Sequence, residues 1–325
     1  MKALILAGGE GTRLRPLTST IPKSLLPICN RPFLAHQLRL MRDHGIVEAM
    51  LLTGYLADSF GPFVQDMASE GMRLEVVREE TPLGTAGAVR NVLDRLEETT
   101  IVFNGDVLTD LDLTALIASH RATGAVATLA LTRVDDASAY GLVPLDEAGR
   151  VEAFLEKPPP ELARRGGLIN AGTYVLEPSV IAAVPVGEMW SFERHVFPSL
   201  VERGEPLFGF ASDAYWLDIG TRERYLQAHW DVLAGRSAAA PVGRRTGEVL
   251  LAEGASAPAG VGPAVLGPGA AVAIGATAER AVLLAGARVE GGAVVRDAVI
   301  GPGAVVGPGV SCVGSIVAAW ERVTA

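Results

Sequence analysis

Cysteine is scarce. The 325 residues hold 2, Cys29 and Cys312, far apart in the chain. Neither a disulfide framework nor a cysteine metal spacing can be made from them, which fits a reducing cytoplasm, and both are expected to be small buried residues. Long apolar runs are also missing. No stretch nears the roughly 18 uninterrupted apolar residues of a membrane-spanning helix, so a soluble protein with no membrane partner is expected. Residues 3–7 are apolar but far shorter than a signal-peptide core, and they run into glycines rather than a cleavage site. They read as a buried first strand. Nor is there a basic surplus: 28 Lys and Arg face 37 Asp and Glu, a formal net charge of −9. A general nucleic-acid binder needs a basic face to displace counterions. Any phosphate site must therefore be local.

The length suggests one large α/β domain and something smaller. Up to about residue 235, short apolar runs alternate with longer helical patterns, the mark of a mainly parallel sheet covered by helices. Strands are predicted over residues 3–6, 49–53, 74–77, 101–103, 127–132 and 173–176, and a helix over 33–41 that stops at Gly45. Residues 236–248 are small, polar and without a period, which reads as a linker.

Residues 249–325 are rich in Gly, Ala, Val and Pro, with recurring pairs such as Leu266-Gly267, Ile274-Gly275, Ile300-Gly301, Val306-Gly307 and Val313-Gly314. Leu266, Val272, Ala278 and Leu284 keep one six-residue register; Val294, Ile300, Val306 and Cys312 keep another, with a slip between them. Hexads of this kind suit a short left-handed parallel β-helix, each side carrying one inward aliphatic. At about 18 residues per coil the tract makes roughly four coils. A flexible tail would not hold such a register.

The first candidate site is Gly8-Gly9-Glu10-Gly11-Thr12-Arg13, directly after the first strand. Glycines there permit positive φ and close backbone approach, so amide N–H groups can face anionic oxygens. Arg13 adds a fork of donors matched to phosphate. The dinucleotide pattern G-x-G-x-x-G fails, because Leu14 stands where its last glycine would be, and no Walker G-x-x-x-x-G-K occurs. Ten residues on, Pro22-Lys23-Ser24 offers a lysine able to serve the same phosphates.

Together, G-G-x-G-T-R-L-x-P-L-T and the following P-K resemble the signature of the sugar-1-phosphate nucleotidyltransferases, the nucleotide-sugar pyrophosphorylases. The resemblance implies a GT-A-like, Rossmann-type mixed sheet in residues 1–235. It puts Arg13 and Lys23 on the phosphates that leave as pyrophosphate, with Leu6, Ala7, Gly8, Gly9, Gly11 and Thr12 around the nucleotide. It makes Asp106, in Asn104-Gly105-Asp106, and Asp218, in Trp216-Leu217-Asp218, the ligands of Mg²⁺. Oxygen ligands of this kind suit Mg²⁺, which takes one or two carboxylates and completes its shell with phosphate and water.

On the sugar side, the family's lysine meets the sugar phosphate while its glutamate and asparagine hydrogen-bond hydroxyls. Here these would be Lys157, Glu156 and Asn170, with Gly141 and Gly172 beside them. Glu79-Glu80-Thr81-Pro82-Leu83-Gly84-Thr85 resembles the base-binding segment of the mannose-1-phosphate guanylyltransferases, giving Glu79, Pro82, Gly84, Thr85 and Asn104 nucleotide contacts. Thymidylyl- and uridylyl-transferring relatives commonly carry an amide where Glu79 aligns. A carboxylate only accepts, and so suits the N1–H and N2–H₂ donors of guanine. The alignment can also slip by one, onto Glu80.

The implied reaction joins GTP to mannose-1-phosphate, giving GDP-mannose and pyrophosphate. A glucose-1-phosphate thymidylyl- or uridylyltransferase is the alternative. A non-catalytic regulatory subunit that binds nucleotide sugars would be signalled by loss of Arg13, Lys23 or an aspartate, and all are present. An acyltransferase on the β-helix would need a histidine base, but His36, His44, His120, His195 and His229 all precede it. The β-helix is instead expected to pack on the catalytic domain or to build a homo-oligomer.

Overall fold

The computed structural model describes residues 1–96 and 98–324. The chain divides into two compact units: Met1–Gly9 with Leu38–Trp216, and Glu10–Gln37 with the chain from Leu217 onward.

The first unit is built on a nine-stranded sheet. Its strands are β1 (Ala3–Leu6), β2 (Glu48–Thr53), β3 (Arg73–Arg78), β4 (Thr100–Asn104), β5 (Ala127–Val134), β6 (Gly141–Leu142), β7 (Leu155–Glu156), β8 (Gly167–Leu176) and β9 (Leu207–Ala211). Four strands run parallel in the order β3-β2-β1-β4. β1, β2 and β4 are almost wholly buried, the continuous apolar run expected of strands covered on both faces. β3, at the edge, keeps alternate residues exposed. Helices Phe60–Ser69 and Gly84–Arg90 make the crossovers from β2 to β3 and from β3 to β4. β8 then runs antiparallel to β4, and β5 antiparallel to β8. The order reverses at β1, whose neighbours are β2 and β4. A parallel sheet opens a crevice for ligands at the carboxyl ends of the strands around such a point. The predicted helix runs over Phe33–Asp43, and Gly45 follows at φ +77°.

In the second unit, Pro27–Ile28 and Arg31–Pro32 form a small hairpin that turns through Cys29 and Asn30, both at positive φ. It is pinned to helix Arg222–Leu233: Tyr225 donates its hydroxyl to the Pro27 carbonyl at 2.7 Å, and the Cys29 N–H donates to His229 Nδ1 at 3.1 Å. Burial pushes the Cys29 thiol up to about 12 and, with His36 nearby, the His229 imidazole down to about 3. Both are neutral packing groups at physiological pH. Cys312 is buried as well, so both thiols are free and inaccessible.

Within the segment expected as a linker, Arg244–Thr246 is a strand that pairs antiparallel with Val249–Leu251, and from there the unit continues as a parallel β-helix with three faces. One face stacks Ala264–Leu266, Ala281–Leu283, Val299–Ile300 and Ile316–Val317; the second stacks Ala271–Val272, Arg288–Val289, Val305–Val306 and Arg322–Val323; the third stacks Thr277–Glu279, Val294–Arg296 and Ser311–Val313. Paired residues such as Ala264 and Ala281 or Thr277 and Val294 are 17 apart, not 18. The slip in the hexads therefore recurs in each coil from Ala264 onward, whereas Val249 and Ala264, stacked just before, are 15 apart. The stacked interior is Leu266, Val272, Ala278, Leu283, Val289, Val295, Ile300, Val306, Cys312 and Val317. The register expected through Leu284 and Val294 is thus corrected to Leu283 and Val295.

The reason lies at the corner between the third face and the first. Arg280, Asp297 and Gly314, one per coil, are all left-handed, and that tight corner spends one residue fewer. The other corners repeat a left-handed glycine at Gly269, Gly286 and Gly303 and at Gly275, Gly292 and Gly309. Not every aliphatic before a glycine points inward: Ile300 is fully buried, whereas Ile274 is 89% exposed. Ile300→Ala should cost about 2–5 kcal/mol by cavity formation, and Ile274→Ala less than about 0.5. Denaturant midpoints compare them, and equal effects would refute this placement. Among the described residues no helix is long and apolar enough to cross a membrane.

Candidate active site

In the first unit, the chemistry gathers at the carboxyl ends of the parallel strands. Leu6, last in β1, is in register with Asn104, last in β4. Beyond them come Ala7-Gly8-Gly9 and Gly105-Asp106. The Ala7 N–H donates to the Leu52 carbonyl at 2.8 Å and the Gly105 N–H to the Leu6 carbonyl at 3.0 Å, so both turns are sewn to neighbouring strand ends. A Cβ on Gly105 would lie 2.6 Å from the Leu6 oxygen, and one on Gly8 would lie 3.3 Å from the Gly54 nitrogen. Close approach therefore requires Gly105 and constrains Gly8. Gly9 has neither crowding nor positive φ, so nothing local demands glycine there.

Glu79 follows β3 at the same end, its N–H donating to the Thr53 carbonyl at 2.7 Å. Its side chain is half-buried and that of Glu80 exposed. Burial raises the Glu79 carboxyl from its ordinary value, opposed by the Leu83 N–H. Pro82 is exposed. Gly84 (φ +69°) lies against the Trp190 backbone, where a Cβ would come within 2.5 Å of the carbonyl oxygen. Thr85 Oγ1 is engaged inside the protein, donating to Glu193 at 2.8 Å and accepting from the Phe192 N–H at 2.9 Å.

Of the residues expected on the sugar side, Glu156 pairs with Gly141, and a Cβ on Gly141 would sit 2.8 Å from the Phe154 ring. Lys157 has φ +52° and is exposed. The β8–β5 pairing is irregular between Asn170 and Tyr174, and within that stretch the Gly172 N–H donates to Asn170 Oδ1 at 3.0 Å. Gly172 is left-handed, and a Cβ there would meet Asn104 Nδ2 at 2.8 Å. Phe154, Glu156, Lys157, Glu193, Arg194 and Pro198 line a cleft of about 360 Å³. Burial, and then the Glu193 charge, raise the Glu156 carboxyl, while Lys157 and Arg194 oppose them.

Glu193 and Arg194 were not among the expected site residues. Phe192-Glu193-Arg194 opens an irregular helical turn that the 3.6-residue pattern does not mark, although Ser191 capping that turn is a readable signal.

In the second unit, Gly11 is left-handed and packs on Lys23: a Cβ there would lie 3.0 Å from both Lys23 Cβ and Thr18 Cγ2. Thr12 and Arg13 follow in a short turn. Lys23 Nζ lies 3.7 Å from Asp218 Oδ1, both side chains largely buried. The Arg13 guanidinium lies over Gly220, where a Cβ would fall 2.5 Å from Nη2 and 3.0 Å from Asp218 Oδ1. Two cations thus gather about one carboxylate, and this cluster can hold anionic oxygen together with a hard cation. The described residues contain no group of three or more His, Cys, Asp or Glu able to hold a metal. Asp106, in the first unit, and Asp218, in the second, are each partly buried carboxylates, and carboxylate oxygen is the kind of ligand that Mg²⁺ takes.

Glycine turns at the carboxyl ends of parallel strands around a switch point mark the ligand crevice of an open α/β fold. The nucleotidyl transferase family model matches residues 2–235, so the chain belongs to that family and is a nucleotidyltransferase. It is 41% identical over 301 residues to a mannose-1-phosphate guanylyltransferase of Mycobacterium tuberculosis, covering 90% of this chain and 82% of the other. A UTP–glucose-1-phosphate uridylyltransferase of Synechocystis is 36% identical, covering 72% and 64% respectively. Among solved structures, HddC from Yersinia pseudotuberculosis, complexed with GMP-PN, superposes with a TM-score of 0.62 at 31% identity, over 71% of this chain and 98% of the other.

Proposed function

We propose that this enzyme transfers a guanylyl group from GTP to mannose-1-phosphate, forming GDP-mannose and releasing pyrophosphate. The observation that carries the base is Glu79, the half-buried one of the two adjacent glutamates. Its carboxylate offers only acceptors, which match the two donors of the guanine edge. The sugar rests on the likeness to the M. tuberculosis guanylyltransferase over nine-tenths of the chain.

The nucleophile, an oxygen of the sugar phosphate, is already anionic and attacks the α-phosphorus in line. No general base is needed; alignment and charge neutralisation suffice. In this reading Arg13 and Lys23 neutralise the departing pyrophosphate, and Lys157 holds the sugar phosphate. Glu156 and Asn170 orient the hydroxyls, while Asp106 and Asp218 would hold Mg²⁺. The chemistry that bound Mg²⁺ supplies is withdrawal of charge from the α-phosphate and the leaving group. Residues 1–235 are the catalytic part. The β-helix of residues 249–325 serves packing and assembly in a cytoplasmic homo-oligomer, which light scattering tests.

Pyrophosphate release over a matrix of four NTPs and several sugar-1-phosphates tests the substrates. GTP with mannose-1-phosphate should lead, and a clear preference for UTP or dTTP, or for glucose-1-phosphate, would overturn the reading in favour of a uridylyl- or thymidylyltransferase. Glu79→Gln should lower kcat/KM for GTP about 10–100-fold by leaving guanine donors unpaired, with UTP less affected. An equal loss with both nucleotides would remove Glu79 from base recognition.

A further inference from the structure

The buried Tyr174 hydroxyl joins four segments to which the proposed function gives separate tasks. It donates to Glu193 Oε1 at 3.2 Å and accepts from Asn170 Nδ2 at 2.8 Å. The Asn104 side chain also hydrogen-bonds to it, beside Asp106. The second oxygen of Glu193 accepts from Ser191 Oγ at 2.5 Å and from Thr85 Oγ1 at 2.8 Å. Thr85 stands in the base segment, Asn170 on the sugar side, Asn104 beside a metal carboxylate, and Glu193 on the wall of the cleft that Glu156 and Lys157 line.

The direction of each bond is fixed. A carboxylate can only accept, so the Tyr174 proton must point to Glu193. The phenol oxygen then accepts, and Asn170 must turn its NH₂ towards it. At its other end, Asn170 Oδ1 accepts from the Gly172 N–H at 3.0 Å. The amide cannot flip without setting donor against donor. Burial, foremost, and the Glu193 charge hold the phenol well above its usual range, so it stays protonated at any working pH.

We infer that Tyr174 and Glu193 are positioning residues, which lock the sugar-recognising amide of Asn170 and tie it to the base segment through Thr85, so that nucleotide binding tightens the sugar-1-phosphate site. Reciprocity follows: whatever factor the nucleotide adds to sugar-phosphate affinity, sugar phosphate adds to nucleotide affinity. The inference rests on the proposed function, because it takes Asn170 as a sugar contact and residues 79–87 as the base segment.

The test is steady-state kinetics on Thr85→Val, Thr85→Ser, Tyr174→Phe and the Thr85→Val/Tyr174→Phe double variant, varying each substrate in turn. Thr85→Val is expected to raise each KM about tenfold when the other substrate is saturating, as reciprocity demands, while the Kd of the NTP alone, from calorimetry, changes less than about twofold and Thr85→Ser restores the wild-type values. Tyr174→Phe should act in the same sense, and the double variant should resemble one single rather than their product, since both cut one chain of bonds. Weaker binding of the NTP alone to Thr85→Val would mean that its hydroxyl binds nucleotide directly and would overturn the inference. Multiplying effects in the double variant, or an unchanged sugar-phosphate KM, would also overturn it. Wild-type protein inactive with every NTP and sugar-1-phosphate would instead refute the proposed function, so the two failures are distinct.

Discussion

Asp106→Asn is expected to lower kcat by about three orders of magnitude or more while shifting the thermal midpoint by only a degree or two. The exchange is nearly isosteric, and the turn that carries residue 106 is held by backbone: the Gly105 N–H bonds the Leu6 carbonyl at 3.0 Å, and residues 107–109 continue as a strand. The fold therefore loses no packing. What is lost is one negative charge and a hard anionic ligand. Reaching a transition state that crowds charge on the α-phosphate and pyrophosphate depends on such neutralisation, and each ~1.4 kcal/mol lost is a tenfold in rate. Single-turnover rates at saturating Mg²⁺, beside calorimetry, make the measurement. Turnover within about tenfold of wild type would remove Asp106 from the metal site.

Gly220→Ala should separate activity from stability in the other unit. The new methyl would fall 2.5 Å from Arg13 Nη2, closer than real contacts permit, and 3.0 Å from Asp218 Oδ1. Gly220 is not left-handed, so alanine meets no backbone strain. The atom that must yield is the tip of a flexible side chain, exposed in this structure. Moving it costs the fold little. Yet the arginine is expected at the pyrophosphate, and a misplacement of about 1 Å can cost on the order of 10²-fold in rate. A hundredfold drop in kcat/KM with an unchanged melting curve is the expected pair. A large loss of stability with normal turnover in the surviving fraction would contradict it.

Much of this was legible in the chain, because its signals were local. Residues 3–6, 49–53 and 101–103 read as strands from their short apolar runs, and the structure keeps the first as it stands and extends the other two by one and two residues. The glycine loop was legible as a turn able to face phosphate, but its glycines differ in purpose: Gly11 for its φ, Gly8 for a close neighbour, and Gly9 for neither. Sequence distance hides what Glu193 does, since its partners Thr85 and Tyr174 are 108 and 19 residues away. In the β-helix the six-residue period was visible and the coil length was not. A left-handed Arg280 or Asp297 carries no glycine to advertise the corner.

That coil length sets a rule for how the C-terminal tract can change. Because stacked partners from Ala264 onward are 17 residues apart on all three faces, a one-residue insertion inside such a coil would turn the following inward residues outward until a corner absorbed it. Removing or adding one complete coil would leave every remaining residue on its own face. The tract can therefore lengthen in quanta, each adding one strand spacing of about 4.8 Å. A spacer adjustable in whole steps, with its side-chain pattern intact, is what a flexible linker cannot provide.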